Sequence, residues 1–61
     1  MLDELQLLRK KVSDYIEELK DYLASGAIKE FDGYQRIVGR VDAFRVMEDD
    51  LDEMIKRHID S

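Results

Sequence analysis

The densest group of side chains capable of chemistry is a run of five acids within six residues: Glu48, Asp49, Asp50, Asp52 and Glu53. Carboxylates so close together could hold a divalent cation or dock on a basic partner. A calcium loop of the EF-hand kind needs alternating ligands, a glycine at its sixth position and a glutamate at its twelfth, and that spacing is missing. On a helix the five side chains spread around most of the circumference, so they read as a solvated face, with an acidic docking patch as the alternative and no metal site expected. His58 is the one imidazole. It could respond to pH, but beside Lys56 and Arg57 it reads as a positive group favoured at a helix C-terminus. With no cysteine and only three scattered serines, the chain offers no nucleophile with a base and an orienting group in reach. No glycine-rich loop is present to cradle a phosphate. The expectation is a protein that is not an enzyme and takes no cofactor.

Binding is then the remaining class of activity, and charge narrows it. Fifteen acids against ten bases give a formal charge of -5. Both halves are acidic: six acids and four bases up to Ser25, nine and six beyond it. Nucleic-acid affinity comes largely from Lys and Arg displacing counterions, so this balance argues against unaided nucleic-acid binding. It suits a protein partner. The start, Met1-Leu2-Asp3-Glu4, has neither the basic nor the apolar stretch of a signal peptide, and no apolar run approaches the roughly 20 residues of a spanning helix. The expected setting is a cytoplasm or a particle assembled there, with no membrane involved.

The elements that must present a binding surface are legible from spacing. There is no proline, and the glycines stand at 26, 33 and 39. In the first half Leu5, Leu8, Val12, Tyr15, Leu19 and Tyr22 recur at spacings of three and four, with Leu2, Ile16 and Leu23 widening the stripe on one flank. That predicts a helix over about 2–25 with a broad apolar face; Leu7 lies off it. Gly26 can adopt the left-handed conformation that closes a helix, which predicts a turn at 26–30. The restart carries two signals: Asp32 with Gln35 resembles a capping box, and Glu30 would begin the turn earlier. A second helix over about 31–59 carries Tyr34, Ile37, Val38, Val41, Phe44, Met47, Leu51, Met54 or Ile55, and Ile59. Two consecutive steps of three, at 41, 44 and 47, predict a face that drifts around the helix. The longer second helix is expected to overhang the first.

A turn centred on 28 and 29 sets position i level with about 57 minus i. Arg9, Lys10 and Lys11 then face Glu48 and Asp49, Glu17 faces Arg40, and Asp21 faces Arg36. The matching signs support an antiparallel register more than they support stability. Gly39 costs a helix about 1 kcal/mol relative to alanine, and with Ala43 it forms a small-x-x-x-small step. Either the first helix packs over that step or a helix of another subunit crosses it. Tyr15, Tyr22, Phe31, Tyr34 and Phe44 are expected to gather towards the turn, as core or as interface anchors.

A chain of 61 residues buries proportionally less of its surface than a typical domain, and no disulfide or closed zinc site is available to staple it. The fold class expected is all-α: an antiparallel two-helix hairpin, a single domain, assembling into a helical bundle. The expected protein interface comprises Leu5, Leu8, Val12, Tyr15, Leu19, Tyr34, Gly39, Ala43, Phe44 and Leu51.

Around the turn the chain reads Tyr22-Leu23-Ala24-Ser25-Gly26-Ala27, then Phe31, Tyr34, Val38, Gly39 and Val41. Over about residues 20–45 this resembles small acidic helical proteins encoded among the virion genes of tailed bacteriophages. The resemblance implies a structural or assembly component of a phage particle, whose partner is itself or a larger phage structural protein. One alternative is an acidic phage inhibitor occupying the nucleic-acid groove of a host enzyme. The layout also resembles the Rop hairpin, in which two copies make a four-helix bundle that binds RNA; the acidic balance stands against that activity.

Overall fold

The computed structural model describes residues 2–60 as two helices, α1 (Leu2–Ala24) and α2 (Phe31–Asp60), packed antiparallel as a hairpin. Both helices are uninterrupted because the chain between their ends contains no proline and, within α1, no glycine. Local ion pairs along the exposed surfaces, Lys10 with Asp14, Lys20 with Glu17 and Arg57 with Glu53, reinforce them at spacings of three and four.

The connection is built from specific bonds. The Ser25 amide donates to the Asp21 carbonyl at 3.0 Å, closing the last turn of α1. The Ser25 hydroxyl donates to the Tyr22 carbonyl at 2.7 Å and accepts from the Ala27 amide at 3.3 Å. Gly26 follows with φ +76°, the left-handed conformation that a side chain would strain. At the restart the Glu30 carbonyl accepts the Tyr34 amide at 3.0 Å, so Glu30 stands at the N-cap. Asp32 lies inside the first turn, where its charge opposes the helix dipole favourably. Between these ends Ile28 folds inward over Gly33: a β-carbon there would stand 3.1 Å from Ile28 Cγ2.

The seam between the helices is narrow. Val12, Ile16, Val41 and Leu51 are buried, with Leu5, Leu19 and Phe44 packed against them. On α1 the inward positions are Leu2, Leu5, Arg9, Val12, Ile16, Leu19 and Leu23; on α2 they are Ile37, Val41, Phe44, Glu48, Leu51 and Ile55. Both sets step by three and four without a break, the spacing of a heptad seam.

This phase corrects two expectations. Leu2, Ile16 and Leu23 belong to the seam itself, and Leu8, Tyr15 and Tyr22, 46–49% exposed, form the flank. The face of α2 does not drift, because Glu48 occupies the inward position and Met47 stands beside it, 44% exposed. Leu7 is exposed. With Arg9 level with Glu48, Leu2 comes level with Ile55, and 56–60 run on beyond it. The outcome is a rod, 47 × 14 × 12 Å between Cα extremes.

Candidate functional site

Among the described residues no group of three or more His, Cys, Asp or Glu side chains is placed to hold a metal ion, and no helix is long and apolar enough to cross a membrane. The acidic run is dispersed by the helix. Glu48 lies in the seam, where Arg9 Nη1 meets its Oε2 at 3.2 Å. Asp52 accepts Arg9 Nε at 2.9 Å, and Glu53 pairs with Arg57. The Arg9 bond holds the Asp52 carboxyl below the ordinary aspartate range, and the same bond raises the Arg9 guanidinium. Asp49 and Asp50 remain exposed. As a docking patch, Glu48, Asp49, Asp50, Asp52 and Glu53 do not share one face.

The expected level of Arg9 with Glu48 forms, but inside the seam, where the apolar spacing placed neither residue. The Arg9 side chain is one third exposed and that of Glu48 about one fifth, so this is a half-buried ion pair set into an otherwise apolar seam. Polar groups at such positions specify register and orientation at some expense of stability. The other charge levels expected across the hairpin do not form. Lys10 turns to Asp14 and Glu17 to Lys20, because Glu17 and Arg40 lie on opposite flanks of the seam. Asp21 points outward, away from Arg36.

The expected interface residues divide into four groups. Leu5, Val12, Leu19, Phe44 and Leu51 are consumed by the seam between α1 and α2. Gly39 and Ala43 lie outside it: nothing comes within 4 Å of a β-carbon built on Gly39, so α1 does not pack over that step. Tyr34, 46% exposed, sits near the connection, and Leu8 and Tyr15 belong to the flank. The aromatic side chains do not gather at the turn. Among the described residues one ring pair forms, Tyr15 with Phe44, with centroids 5.7 Å apart and planes tilted by 37°, and Phe31 is 72% exposed. The five rings are spread over too much of the rod's length to meet around its single inner layer.

The two flanks of the seam differ in kind. One carries Gln6, Ser13 and Lys20 from α1 and Val38, Arg45 and Asp52 from α2. The other carries Leu8, Tyr15 and Tyr22, at intervals of seven, alongside Arg40, Met47 and Met54, again at intervals of seven. Tyr15, Glu18, Leu19, Arg40, Ala43 and Phe44 line a shallow, mostly apolar groove on this second flank. Nearer the connection Tyr22, Arg36, Ile37 and Arg40 line a more polar cleft that continues it. The result is an apolar face on one side of the rod that gives way to a polar cleft near the connection. Singly exposed apolar residues are ordinary, but a contiguous face rimmed by charge marks an interaction surface.

Compared with protein-family models, curated proteins and solved structures, the chain gives no match.

Proposed function

We propose that the protein works without catalysis, as a structural or assembly element that docks through the apolar flank of its hairpin. The observation that carries this reading is the asymmetry between the flanks. Leu8, Tyr15, Tyr22, Met47 and Met54 are all 44–50% exposed on one side, opposite a flank of mainly hydrophilic side chains. Aromatic and methionine side chains are the types that anchor helix-in-groove and helix-on-helix interfaces. The likeness of residues 20–45 to small acidic virion-gene proteins supplies a setting, a bacteriophage particle or its assembly in the host cytoplasm.

Inhibition of a basic host enzyme draws less support, because Glu48, Asp52 and Glu53 are already engaged by Arg9 and Arg57. RNA binding draws none beyond the likeness in layout.

Photo-crosslinking in the producing cell tests the reading. A photoreactive residue replacing Tyr15 or Met47 is expected to capture protein, whether a second copy or another chain, and one replacing Glu17 or Asp42 is not. Equal capture from both flanks, or none from the apolar one, overturns it.

A further inference from the structure

Resting on that reading, we infer that the occupant of the apolar flank is a second copy of this chain, related by a two-fold axis along the rod, so that both connections lie at the same end. Surface area is the first ground. The hairpin exposes 4871 Å², roughly 750 Å² more than the ~4,100 Å² of a compact monomer of 7.2 kDa. That excess is close to the ~800 Å² each partner contributes to a standard interface.

The second ground is charge. The outer edge of the flank carries Glu4, Lys11 and Glu18 on α1, and Asp50 and Arg57 on α2, with Arg40 beside that edge in the row of Met47 and Met54. A two-fold axis along the rod lays α1 of one copy against α2 of the other, antiparallel, without changing any level. Lys11 then meets Asp50 and Glu4 meets Arg57, which also holds Glu53 of its own chain, both at a register sum of 61, and Glu18 meets Arg40 at 58, each twice; within the hairpin Arg9 and Asp52 pair at 61. Minus, plus, minus therefore faces plus, minus, plus along both edges. Connections at opposite ends would set α1 on α1 and α2 on α2. That arrangement offers at best two complementary kinds of pair, Lys11 with Glu18 and Arg36 with Asp50.

Within one chain Lys11 and Asp50 stand on the outer shoulders of different helices and form no ion pair among the described residues. Lys10, Asp14, Glu17 and Lys20, on other surfaces, pair locally. The apolar interior of the dimer comprises Leu8, Tyr15, Tyr22, Met47 and Met54 from each copy. Gly39 faces away from it.

Sedimentation equilibrium on the purified chain, with the charge reversals Lys11→Glu and Asp50→Lys separately and together, tests the proposal. The expected result is a dimer at about 100 µM whose Kd rises about tenfold with either reversal, because two symmetric pairs become repulsive. In the double variant Kd returns to within about threefold of the parent. Circular dichroism of each variant at high concentration checks that the helices are intact. A monomer at about 100 µM overturns the proposal, as does a dimer in which the double reversal fails to restore association. Flank-specific crosslinks to a different protein in the producing cell would, in either case, leave the broader docking function standing.

Discussion

Ile16 and Tyr15 are neighbours in the chain, and the stripes they belong to have the same spacing. Ile16 lies in the seam at 5% exposure with Val12 and Leu19 beside it; Tyr15 lies on the flank at 48% with Leu8 and Tyr22 one heptad to either side. One stripe is satisfied by α2 of the same chain and the other is only grazed by it, through Phe44. The difference teaches that an apolar period specifies a helix with something to bury, whereas the partner's geometry decides which part of the width is buried at home. On a hairpin whose single layer has one inner surface, a stripe wide enough to cover two helices leaves one of its edges for a third.

The largest expected effect separates the two stripes directly. Ile16→Ala should destabilise the hairpin by about 2–4 kcal/mol, enough to remove most of the helicity of so small a fold even at the concentrations where the parent chain is fully helical. Tyr15→Ser should leave helicity at high concentration nearly intact while shifting its loss on dilution to higher concentration. Far-UV circular dichroism over a dilution series reads both. Equal losses from the two substitutions would mean that Tyr15 belongs to the seam.

A smaller effect concerns the surface that belongs to neither stripe. Gly39→Ala should stabilise α2 by about 0.5–1 kcal/mol, because a β-carbon there meets nothing and alanine is the better helix former. Thermal or urea midpoints measure it. A loss of stability would instead place a helix of another molecule across Gly39 and move the interface to the back of α2.

The smallest effect is one of pH. The Asp52 carboxyl is held below its ordinary range chiefly by its bond to Arg9, so its contribution is present above about pH 4 and fades as pH falls through its lowered value. The urea midpoint should therefore drop between about pH 5 and pH 2. In Asp52→Asn that drop should be shallower, and an identical slope would remove Asp52 from the account.

Much of the fold was legible in the sequence, for definite reasons. The absence of proline, the spacing by threes and fours, and Ser25-Gly26 between two such runs lead to two antiparallel helices. The phase of the stripe was not legible. Leu5, Leu8, Val12, Tyr15, Leu19 and Tyr22 fit a helix face as well as the true seam does, because the seam includes Arg9 and a search for apolar residues passes over it. Glu48 hides the matching position on α2 and lets Met47 stand in for it. Each polar residue looks misplaced until the other is set opposite. The candidate face was therefore partly visible, as an apolar stripe too wide for one contact. Which edge remained exposed depended on an ion pair between residues 39 positions apart.

That ion pair also bears on how replaceable the connection is. If the helices slid past one another by one heptad, Arg9 would lie level with Val41 or Ile55 and Glu48 would lose its cation, so the alignment is encoded in the seam as well as in the turn. Lengthening residues 25–30 should then alter stability only slowly, by about 0.6 kcal/mol for each doubling of loop length. The same seam would guide two separate peptides into one alignment: the hairpin is, in effect, a heterodimeric pair whose halves happen to share a chain.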